Sequence, residues 1–223
     1  MTQISTTVTR SQYAALATNR VLRNTYLLLS LTLVFSALMA GASIALGLPR
    51  GAAMLSSLAA MGLVWLVLPR TENSGAGIAV VFAVAGLLGL GLGPILTVYL
   101  SLPQGSHIVA TALGGTGLIF LGLSGYALAT GRNFEFLGGM LFSGLIVVFV
   151  AAIANIFLAI PLLQLTVSAG IILIMSGLIL FDTSRIVHGG ETNYIRATIS
   201  LYLDIYNIFI ALLNILTGFS NRD

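Results

Sequence analysis

Residues 73–131 read NSGAGIAVVFAVAGLLGLGLGPILTVYLSLPQGSHIVATALGGTGLIFLGLSGYALATG, 59 residues without a single Asp, Glu, Lys or Arg. About 20 apolar residues of helix cross a hydrocarbon layer of roughly 30 Å, so this stretch holds two crossings, broken at Leu102-Pro103-Gln104-Gly105-Ser106-His107. In hydrocarbon every backbone N–H and C=O must be paired within the segment, which selects helices. Working outward, Tyr26–Leu48, Gly51–Leu68 and Phe136–Phe181 are also uncharged, the last with a turn at Pro161, and Ala197–Phe219 carries only Asp204. The reading is an all-α polytopic membrane protein. Its seven helices lie near 25–48, 51–69, 77–100, 107–130, 136–160, 162–182 and 197–219. Residues 1–24 form an N-terminal tail, 25–219 the transmembrane domain and 220–223 a short C-terminal tail.

Composition supports this. Hydrophobic residues make up 58% of the chain and charged residues 7%, with a mean hydropathy of +1.07. A soluble domain carries about 25% charged residues. The net charge is +3 and all nine basic residues are arginine. They form no basic patch interleaved with aromatics, so nucleic acid is set aside as a partner. The absence of cysteine excludes disulfides, thiolate catalysis and cysteine-ligated metals. Tyr26–Leu48 exceeds the h-region of a signal peptide and reads as a retained span. Gly89 and Gly93 have the small-xxx-small spacing that lets membrane helices approach closely.

Arginine placement predicts orientation. With the N-terminus inside, the cytoplasmic segments hold Arg10, Arg20, Arg23, Arg70, Arg132, Arg185 and Arg196, against Arg50 and Arg222 outside. The bias favours a cytoplasmic N-terminus and an external C-terminus.

Ionisable residues at membrane depth mark functional sites. Asp182 closes the sixth span and Asp204 stands seven residues into the seventh, about 10 Å from its start. Arg70 closes the second span, so the topology brings all three to the cytoplasmic side. On the last helix Ser200, Asp204, Asn207, Ala211 and Asn214 fall within about 80° of one another at 100° per residue. Such a stripe avoids lipid, which predicts that the last helix is central and that Ser200, Asn207 and Asn214 line a polar path. Two carboxylates at hydrogen-bond range do not both ionise without penalty. Asp182 and Asp204, with Arg70, therefore suggest a pH-sensing gate, and together they could hold a hard cation such as calcium through carboxylate oxygens. A structural ion network that fixes helix register is the plainer reading.

The stretches Arg20-Val-Leu-Arg-Asn-Thr-Tyr26, Phe136-Leu-Gly-Gly-Met140, Asn155-Ile-Phe157, 188-HGGETNYIRA-197 and 200-SLYLDIYN-207 resemble the Bax-inhibitor-like (TMBIM) transmembrane family, most closely its bacterial YccA-type branch. The likeness covers nearly the whole chain after residue 18. It implies a seven-span bundle with a central last helix, and a proton-sensitive calcium leak assigned to Asp182, Asp204 and Arg70. It also implies partnership with, or modulation of, the membrane AAA protease FtsH. The expectation is a multi-pass protein of a bacterial inner membrane, not an enzyme, with no cofactor beyond transient calcium. It is a pH-sensitive cation leak or, alternatively, a non-channel modulator of FtsH.

Two enzyme classes share features with this sequence. An intramembrane aspartyl protease needs a GxGD context, and Asp204 sits in Leu201-Tyr-Leu-Asp. Gly122-Leu-Ser-Gly125 matches the GxSG of rhomboid proteases, but that chemistry needs a histidine base in a later helix. The two histidines, His107 and His188, lie at loop positions and are too few for a metal site. Ser124 therefore reads as a packing residue, and His188 as a solvated loop histidine.

Overall fold

The computed structural model describes the backbone of residues 2–220 and the side chains of residues 18–219. All regular structure in them is helical. Seven helices are long and apolar enough to cross a membrane: α1 Thr18–Ala45, α2 Arg50–Thr71, α3 Ala76–Leu100, α4 Gly105–Thr130, α5 Glu135–Leu158, α6 Pro161–Val187 and α7 Tyr194–Phe219. The expected number and order of spans are therefore found. The helices run past the apolar runs, however. α6 ends at Val187 rather than 182, and α7 begins at Tyr194 rather than 197. The backbone before α1 is helical from Thr2, continuous with the span; residues 221–223 of the C-terminal tail lie outside the described residues. Apolarity marks the hydrocarbon layer, whereas a helix continues as long as its polar residues find partners. Thr183, Ser184 and Thr198 are buried within the protein at this end.

The bundle is apolar on its outside as well as in its core. Leu118, Trp65 and Leu173 are each about three-quarters exposed, as lipid-facing side chains are. The most buried spans are α3, with 61% of its most apolar stretch inside, and α7 with 50%, against 6% for α5. The last helix is central, packed by α1, α3, α4 and α6, and it shares the centre with α3. By contrast, the backbone of α2 approaches only α3, and α5 packs on α6.

Glycine explains why α3 can be so deep. A Cβ on Gly89 would overlap the Ser36 carbonyl oxygen of α1, one on Gly93 would overlap the Ser43 side chain, and one on Gly86 would lie 2.9 Å from the Phe35 ring. α1 and α3 thus touch backbone to backbone, where dispersion and interhelical hydrogen bonds replace the missing hydrophobic drive. The Ser43 hydroxyl donates to the Leu90 carbonyl at 2.7 Å. On the same side of α7, the Tyr202 hydroxyl lies 2.7 Å from Ser36 Oγ, and its ring stacks on Tyr206.

Candidate functional site

The arginine-rich end of the bundle is tied by a polar lattice. Arg196, in the first turns of α7, forms an ion pair with Glu72 in the α2–α3 connection. Asn193 Nδ2 donates to the Glu72 carbonyl at 2.9 Å. Glu191, in the α6–α7 connection, lies 3.9 Å from both Arg185 and Arg196. Glu72 and Glu191 are each only 9% exposed, so these carboxylates sit beneath the surface and their arginines cover them.

Asp182 lies directly below this lattice. Because α6 continues to Val187, Asp182 is inside the helix rather than at its end, and it is buried. The Ser200 hydroxyl of α7 donates to Asp182 Oδ2. Asp182, Arg185, Glu191, Arg196 and Ser200 enclose a small pocket of about 70 Å³. One helical turn further along α7, on the same face as Ser200, comes Asp204. It is 4% exposed, and its Oδ2 is buried with no hydrogen-bond partner. It stands ten residues beyond Tyr194, hence about 15 Å from the start of α7, which begins before the apolar run. Asp204 lines a second cavity of about 480 Å³, with Ser57, Ser200, Tyr206 and Asn207. Ser200 borders both spaces. The two carboxylates are thus brought to neighbouring levels, with Ser200 between them as the partner of Asp182.

Arg70 is placed elsewhere. Its guanidinium is exposed and donates to the Leu66 carbonyl of its own helix. Pro69 lacks an N–H, and its ring crowds the preceding turn. The chain responds with a π-turn over Leu63–Val67, closed by Leu68 N–H to the Leu63 carbonyl. Pi-turns of this kind recur at functional sites. The arginines that face Asp182 are Arg185 and Arg196. Arg185, three residues after Asp182, forms an i,i+3 pair only because α6 runs on to Val187, past the end at 182 that the apolar run suggests; Arg196 and Glu72 are 124 residues apart and gave no signal.

The polar stripe divides. Asn207 Nδ2 donates to the Leu203 carbonyl at 2.8 Å and lines the Asp204 cavity. Asn214 accepts a hydrogen bond of 2.6 Å from the Tyr99 hydroxyl and lines a different cavity toward the other end, with Gln164 and Thr217. Among the described residues no group of three or more His, Asp or Glu side chains converges. Ser124 is buried between the hydroxyls of Tyr26 and Thr183, the latter at 3.2 Å, a stitch between α1, α4 and α6. His188 is exposed just past the end of α6, as read, and its ring is also held: Nδ1 lies 2.9 Å from the Ser184 carbonyl and Nε2 lies 3.1 Å from that of Gly131, fastening the α4–α5 connection to α6.

The family described as "Inhibitor of apoptosis-promoting Bax1" matches residues 18–221. The chain belongs to the Bax-inhibitor family. This Bax-inhibitor-family protein is 54% identical over 208 residues to "Modulator of FtsH protease YccA" of Escherichia coli K12, covering 93% of this chain and 94% of the relative. A membrane protein of Vibrio cholerae is 48% identical over 217 residues, 97% of each chain. A protein of Pseudomonas aeruginosa is 46% identical over 195 residues, 87% of each chain. The matched region takes in all seven spans, and both aspartates fall within it.

Proposed function

We propose that this Bax-inhibitor-family membrane protein modulates a membrane-bound FtsH-type protease. The observation that carries the reading is the 54% identity, over 93% of the chain, to a protein named for that role. A second relative at the same identity is named an inner membrane protein, which supports the same location here. The arginine bias supports a cytoplasmic N-terminus. The N-terminal helix, continuous with α1 from Thr2, would then be the part offered to a cytosolic protease domain. Deleting residues 2–18 tests this. Loss of FtsH co-purification and a changed half-life of its membrane substrates are expected; an unchanged half-life for those substrates in cells with and without the whole chain would end the proposal. Reporter fusions at each terminus check the orientation.

A second reading is favoured by the Asp182–Ser200–Asp204 arrangement: a proton-sensitive leak for calcium or other cations. Ser200 separates a pocket below the charged lattice from a cavity holding a carboxylate oxygen without a partner. Protonation of either carboxyl changes the charge along that route, and calcium is here a substrate held by oxygen ligands. Calcium uptake into proteoliposomes should lose its pH dependence in Asp204→Asn. Uptake with an unaltered pH profile in that variant would remove this reading and leave protease modulation standing. Neither reading is an enzymatic one.

A further inference from the structure

The cavity at Asp204 has the wrong chemistry to be only a passage for a hard metal ion. At about 480 Å³ it lies within the ~300–1,000 Å³ typical of small-molecule sites. Its wall is mostly hydrocarbon, thioether and indole, with Met61, Trp65, Leu145 and Met175 among the lining residues. Asp204 is the single charged residue that lines it, and Tyr206 is the other titratable one. No charged side chain reaches it from α2, α3, α5 or α6; Asp182 belongs to the separate pocket across Ser200. A calcium ion takes six to eight oxygens, usually with several carboxylates. Here one carboxylate is accompanied by Ser57, Ser200, Tyr206 and Asn207 alone.

One buried carboxyl in an apolar, aromatic-walled space, once it gives up its proton, is the complement of one positive charge on an apolar body. We propose that this cavity is a binding site for lipophilic organic cations, with Asp204 as counter-ion and Trp65 and the two methionines as the wall. Indole and thioether groups suit such a ligand, the former through cation–π attraction and the latter through polarisability. The route of entry is lateral. Met61 is 50% exposed and Trp65 74% exposed, and α2, which carries both, has its backbone close to α3 alone. The π-turn Leu63–Val67 lies in that wall. Compounds of this class partition into bilayers and meet the mouth from there. The site requires neither ion flux nor a protease partner, so it stands or falls apart from both functional readings.

Trp65 is the only tryptophan in the chain, so its fluorescence reports on the cavity directly. The full chain in non-ionic detergent is titrated with tetraphenylphosphonium, with neutral triphenylphosphine oxide as the uncharged comparison. Saturable quenching by the cation is expected, weakened about tenfold or more in Asp204→Asn and changed by less than about threefold in Asp182→Asn. Affinity of the unaltered chain should fall as the pH is lowered, because protons compete for the same carboxylate. Equal binding of the neutral compound would show a cavity that accepts any apolar body and would overturn the proposal. Absence of saturable quenching, or an Asp204→Asn variant that binds as well as the parent, would overturn it too. The neutral-ligand and pH arms use the unaltered chain, so the test does not depend on the variant folding.

Discussion

Replacing Gly89 with alanine tests the α1–α3 contact on which the deep position of α3 rests. The new Cβ would overlap the Ser36 carbonyl oxygen and sit 3.0 Å from Ser36 Cα. Both atoms are backbone, so no rotamer change relieves the clash, and the two helices must part by about 1 Å, which on a dispersion potential forfeits a quarter to a half of each contact along the seam. Overpacking of this kind costs about 1–3 kcal/mol. Against it stands at most ~1 kcal/mol from the better helix propensity of alanine. In the membrane that gain shrinks further, because separated spans stay helical before they associate. The net expectation is a loss of about 1–2 kcal/mol. Gly114→Ala is the matched comparison, since nothing lies within 4 Å of its added Cβ; it should leave stability unchanged or slightly raised. Heat unfolding in detergent, followed through Trp65, measures both. If Gly89→Ala unfolds at the same temperature as Gly114→Ala, close backbone packing does not hold α1 against α3.

Tyr202→Phe removes the 2.7 Å hydrogen bond to Ser36 at a site only 1% exposed. It should lower stability by about 0.5–1.5 kcal/mol in the same unfolding assay. Arg70→Gln should leave calcium uptake within about twofold of the parent at each pH, because its guanidinium bonds the Leu66 carbonyl rather than either aspartate. Arg185→Gln, which empties the pocket wall facing Asp182, should alter the pH profile of that uptake. Asp204→Asn should raise the unfolding temperature at alkaline pH, where a buried carboxylate with an unpartnered oxygen is ionised and a neutral amide is less costly to bury; a fall would show that the carboxylate is structurally satisfied.

The spans were legible because nearly all the charges fall between or at the ends of the apolar runs. Six neutral runs and a seventh interrupted only by Asp204, bounded by arginines and turns, leave little freedom in counting, and the polar stripe on the last helix identified a central element. Less could be read about where helices end. Asp182 looked terminal because the apolar run stops there, yet Thr183, Ser184 and Ile186 continue the helix inside protein. The misplacement of Arg70 has the same origin: topology assigns a residue to an end of the bundle, whereas its direction depends on the local turn, and Pro69 with the π-turn decides that. The pairing of Glu72 with Arg196 joins segments whose relation exists only after folding. Centrality of α3 was partly visible in Gly89 and Gly93, whose spacing predicted close packing without naming the partner helix.

The division of labour among the spans follows from these contacts. α1, α3 and α7 are locked by glycine seams and by hydroxyls that bond across helices, including Ser36 with Tyr202 and Ser43 with Leu90. α2 lacks such a seam on its far side: its backbone meets only α3, and one face of it forms the wall of the Asp204 cavity. A helix held along one edge moves at lower cost than one held on several, and the π-turn supplies a place for it to bend. Motion of α2 would therefore widen or close the space beside Asp204 without breaking the α1–α3–α7 core. In this arrangement a buried, unpartnered carboxyl oxygen is kept next to two walls, α2 and Leu145 of α5, that are each held along one edge. A site for exchange, rather than a structural strut, requires a wall that is weakly held beside the group that binds.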